Sequence, residues 1–212
     1  MNFMFKEYYV PKSAKKIQPL DNTESEVPDR LPVFPLPLFI LPNGRQRLRI
    51  FEQKYLKMVS SASQGSGFII APQDAAKPKT LSSWGTRVTI VDFNISDDNI
   101  LEIDVEGVQL VKLKDAMRQQ DTLITSCFQN LPHWPELNAK TPNIMTSFLV
   151  QLFRENESIR TLYPAPDFEN SQWTCARLLE MLPIPLEKKA EFTKPASFPS
   201  LVPFLNQIIT GQ

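Results

Sequence analysis

Residues 31–55, LPVFPLPLFILPNGRQRLRIFEQKY, constrain the fold of this chain more than any other stretch. Two apolar, β-prone runs flank Pro42-Asn43-Gly44, a turn signal built from residues that favour tight reversals. The pattern predicts strands over 33–41 and 46–51. The second is half-buried, because Leu48 and Ile50 alternate with Arg47, Arg49 and Phe51. A helix is predicted from Glu52 to Ser63. Tyr55, Val59 and Ala62 share one of its faces with Met58 beside them, and Glu52 sets an acid at the positive end of its dipole.

Downstream, Gly65-Ser66-Gly67 breaks the chain before a short apolar strand over 68–71, and 72–80 read as a polar loop. Strands are predicted over 86–95 and 100–105, joined by a hairpin turn at Asp97-Asp98-Asn99. Glu106-Gly107 reads as a second turn into a strand over 108–113, with one more over 122–129. Six or seven mostly antiparallel strands with one early helix predict a β-barrel or a strongly coiled sheet.

The character changes after Trp134. Thr141 reads as an N-cap with Pro142 at the first helical position, ahead of Ile144, Phe148 and Leu152 at i+4 spacing. Asn170 or Ser171 caps a helix striped by Cys175, Leu178, Leu179 and Leu182, which Pro183 and Pro185 end. A last helix over 199–209 is amphipathic through Leu201, Phe204, Leu205, Ile208 and Ile209. The reading is an α+β chain: an arm over 1–30, a barrel over 31–135 and a helical subdomain over 136–212. Within the arm, 12–30 reads as solvated. Phe3, Met4, Phe5, Tyr8, Tyr9 and Val10 are too aromatic for linker and suit an edge strand or a partner contact.

Composition narrows the function. Lys and Arg together number 23, as do Asp and Glu, so the chain lacks the excess positive charge that grips a polyanion. Lys6 and Glu7 interrupt the first apolar run, which argues against a signal peptide, and prolines break every stretch long enough to span a bilayer. A cytoplasmic location is the expectation. Cys127 and Cys175 match no metal or redox spacing and read as reduced, buried thiols.

Chemistry-bearing residues are sparse. His133 is the one histidine and lies in a proline-flanked loop beside Trp134, without a second residue to orient it as a base or complete a metal site. Arg49 and Glu52 are expected to tie the strand-to-helix corner by a charge-assisted hydrogen bond. Asp97, Asp98, Glu102, Asp104 and Glu106 lack calcium-loop spacing and read as a solvated face. Arg45, Arg47 and Arg49 share a face, a small basic patch that would suit RNA.

Several of these motifs, in this order, resemble the N-terminal domain of Lon proteases. Phe34-Pro35-Leu36-Pro37 and Arg49-Ile50-Phe51-Glu52 with Tyr55 carry the first block. Gly67-Phe68, Gly85-Thr86 and Glu106-Gly107 follow, and Trp173 to Lys189 resembles the helical pattern of stand-alone members. Gln109-Leu110 departs from an Arg-Phe pair common there. The resemblance implies a PUA-like β-barrel followed by a helical bundle, a region that in Lon helps hold protein substrates without catalytic residues of its own. No G-x-x-x-x-G-K-[ST] loop occurs, so ATP-dependent proteolysis is not expected. The expectation is a non-catalytic module without cofactor or metal. It would bind unfolded or extended polypeptide, or a specific partner protein, through an apolar groove at the barrel–bundle junction or by strand addition at an open barrel edge. Phe34, Leu36, Phe39, Arg49, Glu52, Tyr55 and Trp134 are the candidate binding residues. The alternative is an RNA-binding barrel using the arginine strand.

Overall fold

The structure, a computed structural model, describes residues 30–63, 65–74, 80–135 and 141–211. The barrel half runs β1 (Arg30–Leu36), β2 (Arg45–Ile50), α1 (Gln53–Ala62), β3 (Phe68–Pro72), β4 (Trp84–Ile95), β5 (Leu101–Arg118) and β6 (Ile124–Asn130). The helical half runs α2 (Asn143–Glu155), α3 (Glu157–Leu162), α4 (Ser171–Met181), α5 (Leu186–Glu191), a single 3-10 turn and α6 (Phe198–Thr210). The arm predicted before Arg30 and most of the 72–80 loop lie outside the described residues.

The strands form one mixed sheet in the order β2-β5-β4-β3-β1-β6, and β6 also pairs with β5. That last pairing closes β1, β3, β4, β5 and β6 into a cylinder, with β2 added outside it along the first half of β5. The β1–β3 pair is parallel and the other pairs are antiparallel. Both faces of β1 and β3 are buried, which explains their near-continuous apolar runs. Leu31, Val33, Ile69 and Ala71 face Val111 and Leu113 in one cluster. Phe34, Phe68 and Ile70 turn the other way and pack with Met58 and Val59 of α1.

The sequence predicted a turn at Glu106-Gly107; the structure places both inside the 18-residue strand β5. Gly107 is there for backbone approach. A Cβ on it would stand 2.2 Å from the Leu41 carbonyl oxygen. Its N–H donates to the Gly44 carbonyl and its carbonyl accepts from Asn43 N–H, each at 2.8 Å. The first predicted strand also ends early, at Leu36, and residues 37–41 leave the sheet to fill the interior, with Phe39, Ile40 and Leu41 all buried.

The largest cluster joins the halves. Phe39, Leu41 and Leu110 pack with Trp134, Met145, Leu149, Phe153, Leu178, Leu179, Leu201 and Leu205. Each fully buried leucine contributes about 1.5–3 kcal/mol of transfer free energy. Asn170 caps α4 as predicted, accepting from Trp173 N–H at 3.0 Å. Helix α2 is rotated by one residue from the prediction. Met145, Leu149 and Phe153 are buried, whereas Ile144 is 48% exposed. Two apolar rows of i+4 spacing lie side by side there, and packing against α4 and α6 chooses between them. Pro142, not Thr141, takes the cap position.

Candidate functional site

Strand lengths create the most distinctive surface. β4 has 12 residues and β3 has 5, so β3 pairs with β4 only over Thr86–Val88. Beyond Val88 the side of β4 away from β5 has no strand neighbour among the described residues. A register shift between Ile90 and Asp92 leaves Val91 as an extra, unpaired residue. Val91, Phe93 and Ile95 are 43%, 51% and 66% exposed. Phe93 stands opposite Ile103 and Ile95 opposite Leu101, so they extend the apolar sheet face that α1 covers over Ile103, Leu48 and Ile50. Val88 and Ile90 of β4 pack in the α1 cluster, whereas Phe93 and Ile95 lie outside it, and Phe51, just before the helix, is 71% exposed.

Backbone direction follows from the ladder. Arg45 N–H donates to the Tyr163 hydroxyl at 2.6 Å, and that hydroxyl donates back to the Arg45 carbonyl at 3.3 Å. Both Arg45 groups therefore point away from β5. Antiparallel alternation then directs Leu101, Ile103 and Val105 toward β2, and Glu102 and Asp104 toward β4. Phe93 and Ile95 consequently aim their amides and carbonyls at the open side. Asp92 Oδ1 holds the Phe93 amide at 2.8 Å; the remaining groups face outward along an apolar edge.

The opposite sheet face is ionic. Arg45 meets Glu106 at 2.6 Å, and Arg47 grips Asp104 through two bonds of 2.7 and 2.8 Å. Arg49 pairs with Asp98 and lies 3.7 Å from Glu102. The predicted Arg49–Glu52 tie is absent, because β5 offers Arg49 carboxylates directly across the ladder; Glu52 bonds Lys54 instead, at 2.9 Å. Of the acids expected on a solvated face, Asp97 and Asp98 are exposed, Glu102 and Glu106 are half-buried, and Asp104 is buried and paired. Its hydrogen bond raises the Arg47 pKa, while Ser96 and then Arg49 lower that of Asp98. With each arginine matched to a carboxylate, no unpaired basic stripe remains on β2 for a nucleic acid.

The junction between the halves carries buried polar groups and, beside them, a cleft of about 350 Å³ lined by Leu38, Phe39, Ile159, Leu162, Tyr163 and Met181, where a groove between barrel and bundle was expected. Fully buried Arg177 stacks between the Tyr163 and Trp173 rings and pairs with Glu180 at 2.8 Å. Glu180 Oε1 also accepts the Leu41 amide at 2.6 Å, and Lys189 reaches the Glu180 carbonyl at 2.7 Å. Burial raises the carboxyl of Glu180 and the phenol of Tyr163 and lowers the ammonium of Lys189. Cys175 is pushed up to about 12 by burial, so it is an inert thiol. His133 stacks on Trp134 with centroids 4.3 Å apart, and burial, then Arg177, holds its pKa down to about 4. Among the described residues no carboxylate orients His133, and no group of three or more His, Cys, Asp or Glu is placed to hold a metal. No described helix is long and apolar enough to cross a membrane.

The sequence-predicted binding residues separate into three places. Phe34, Leu36 and Tyr55 meet under α1, where the Phe34 and Tyr55 rings lie 3.9 Å apart. Phe39 and Trp134 are buried in the junction; the Trp134 indole N–H donates to the Phe192 carbonyl at 2.9 Å. Arg49 and Glu52 are exposed but engaged in different ion pairs. Val91, Phe93 and Ile95 were not singled out. Their signal was the mismatch between a predicted strand over 86–95 and its much shorter neighbour over 68–71.

Among curated proteins, none matches the chain. Its fold is shared by solved structures, including two of Lon N-terminal domains. The crystal structure of the Lon N-terminal domain protein from Xanthomonas campestris matches with a TM-score of 0.60 at 20% identity, covering 86% of this chain and 98% of that one. The N-terminal domain of Mycobacterium avium complex Lon protease matches with a TM-score of 0.57 at 11% identity, over 86% and 98%. The family model described as the ATP-dependent protease La (LON) substrate-binding domain matches residues 30–192, and with the barrel and helices in place this chain belongs to that family.

Proposed function

We propose that this chain is a non-catalytic binding module that takes extended, apolar polypeptide by strand addition along the open edge of β4, in cytoplasmic protein quality control. The observation that carries the reading is the stretch Val91–Ile95, whose side away from β5 has no strand neighbour among the described residues and where outward backbone groups and exposed Phe93 and Ile95 side chains coincide. Backbone pairing supplies affinity without sequence preference, and the apolar shelf selects unfolded over folded segments. The family's description as a substrate-binding domain supports the same reading. The paired arginines of β2 speak against the RNA alternative.

The test is titration of the full chain with a reduced, carboxymethylated, permanently unfolded protein. Binding tighter than about 100 μM, roughly −5.5 kcal/mol, is expected. The double variant Phe93→Lys, Ile95→Lys is expected to weaken it at least tenfold. Absence of binding at that concentration, or equal binding by the double variant, overturns the reading.

A further inference from the structure

The open edge of β4 carries a charge pattern that narrows what can pair with it. Between Arg87 and Lys112 the chain has no Lys or Arg, yet it holds six acids: Asp92, Asp97, Asp98, Glu102, Asp104 and Glu106. The arginines of β2 answer four of them. Arg45 meets Glu106, Arg47 meets Asp104, and Arg49 meets Asp98 and Glu102. Asp92 and Asp97, both exposed, have no ion-pair partner among the described residues. Arg47 feels the charge of Asp92, but it donates Nε and Nη2 to Asp104. Asp92 accepts the Phe93 amide through Oδ1 alone.

These two acids bracket the apolar stretch. Asp92 immediately precedes Phe93, and Asp97 opens the turn just after the strand ends at Ile95. A strand laid along this edge sets its residues opposite those of β4, with faces alternating. Residues opposite Phe93 and Ile95 meet the apolar shelf. The residue opposite Asp92, and the one passing Asp97, meet carboxylates that lack a cation of their own. Opposite charges across a ladder stabilise it and like charges destabilise it. The long stems of Lys and Arg also let their charges reach a carboxylate in the turn, beyond the last ladder pair. Backbone pairing is indifferent to side chains, so the edge discriminates through these flanks. We infer that the occupant of the β4 edge is an extended segment of another polypeptide in which Lys or Arg residues bracket an alternating apolar pair, while segments flanked by Asp or Glu are rejected. The inference rests on the strand-addition reading and adds charge selectivity to it, with Asp92 and Asp97 as the selecting residues.

Calorimetric titration of the full chain with end-capped synthetic peptides tests it. The peptides share a core of alternating valine and serine and differ in their flanks, which are lysine, glutamine or glutamate. At low ionic strength the lysine-flanked peptide is expected to bind at least tenfold tighter than the glutamate-flanked one, with the glutamine-flanked peptide between them. In about 0.5 M salt, where charges are screened within a few ångströms, that ratio is expected to shrink below threefold. The double variant Asp92→Asn, Asp97→Asn is expected to bring it within twofold; Asn at 92 retains the oxygen that accepts the Phe93 amide. Equal affinity for the three flanks at measurable binding overturns the inference and leaves strand addition standing. A preference that survives in the double variant overturns it, since the selection then resides elsewhere. A lysine-flanked peptide with serine in place of every valine that binds as tightly as its apolar counterpart also overturns it, because charge alone then accounts for the contact. Failure of every peptide to bind overturns it too, and the titration with carboxymethylated protein, which does not depend on the flanks, then decides strand addition separately.

Discussion

The two outer strands of the three-stranded wing, β2 and β4, flank the same stretch of β5 and end up with opposite surfaces. The edge of β2 is closed. Tyr163 saturates the outward groups of Arg45, the Gln46 side chain donates to the Arg47 carbonyl at 3.2 Å, and α3 lies alongside. Its long cationic side chains are a familiar guard against strand addition. From Val91 to Ile95 the edge of β4 carries no charge but Asp92, whose carboxylate bonds the Phe93 amide, and its exposure rises toward the hairpin tip. One sheet thus shields the edge nearest the helical half and leaves open the one remote from it. The lesson is that an edge strand stays open by what fails to cover it.

Four experiments break or sharpen that contrast. The largest effect belongs to Glu180→Ala, which removes the anchor holding the helical half over the β2 side. It leaves buried Arg177 uncompensated and the Leu41 amide unpaired, so a loss of about 3–5 kcal/mol in urea unfolding is expected. Acidification comes next. His133, with its pKa lowered to about 4, is kept neutral in the folded protein while the unfolded chain protonates near 6.5. The unfolded state therefore binds more protons between these values. Its contribution is fully present above pH 6.5 and declines as pH falls toward 4, by about 2 kcal/mol once partial solvent screening of the half-buried ring is allowed for. His133→Phe is expected to flatten that slope in thermal melts.

Tyr163→Phe is smaller and more pointed. It deletes the hydroxyl that closes the β2 edge, at about 1–2 kcal/mol, and self-association measured by sedimentation is expected to rise as Arg45 becomes available for pairing. Smallest in stability is the Phe93→Lys, Ile95→Lys double variant, expected to fall within about 0.5 kcal/mol of the parent because both side chains are more than half exposed. Lost polypeptide binding at unchanged stability separates a docking edge from a structural one. Equal stability losses for this variant and Tyr163→Phe would erase the contrast between the edges.

Much of the architecture was legible residue by residue. The alternation of 86–95, the reversal at Asp97-Asp98-Asn99 with Asn99 at φ 59°, and the Asn170 cap each act over a few residues. The site was less legible. Phe34, Phe39 and Trp134 read as candidate binding residues, yet the chain buries them, since a large apolar side chain is stabilised most where a partner surface exists. Arg45, Arg47 and Arg49 read as a basic stripe because their carboxylate partners lie 61, 57 and 49 residues away in sequence and meet them only in the folded sheet.

Periodicity, turn residues and caps in the linear chain decided where strands and helices lie, because those preferences are set by neighbours within one turn of backbone. Tertiary contact alone decided that Gly107 stays inside a strand, that α2 buries Met145 rather than Ile144, and that β4 keeps an open apolar edge. Each of these depends on which distant element arrives to cover a surface, and the free energy of that covering has no counterpart in local sequence.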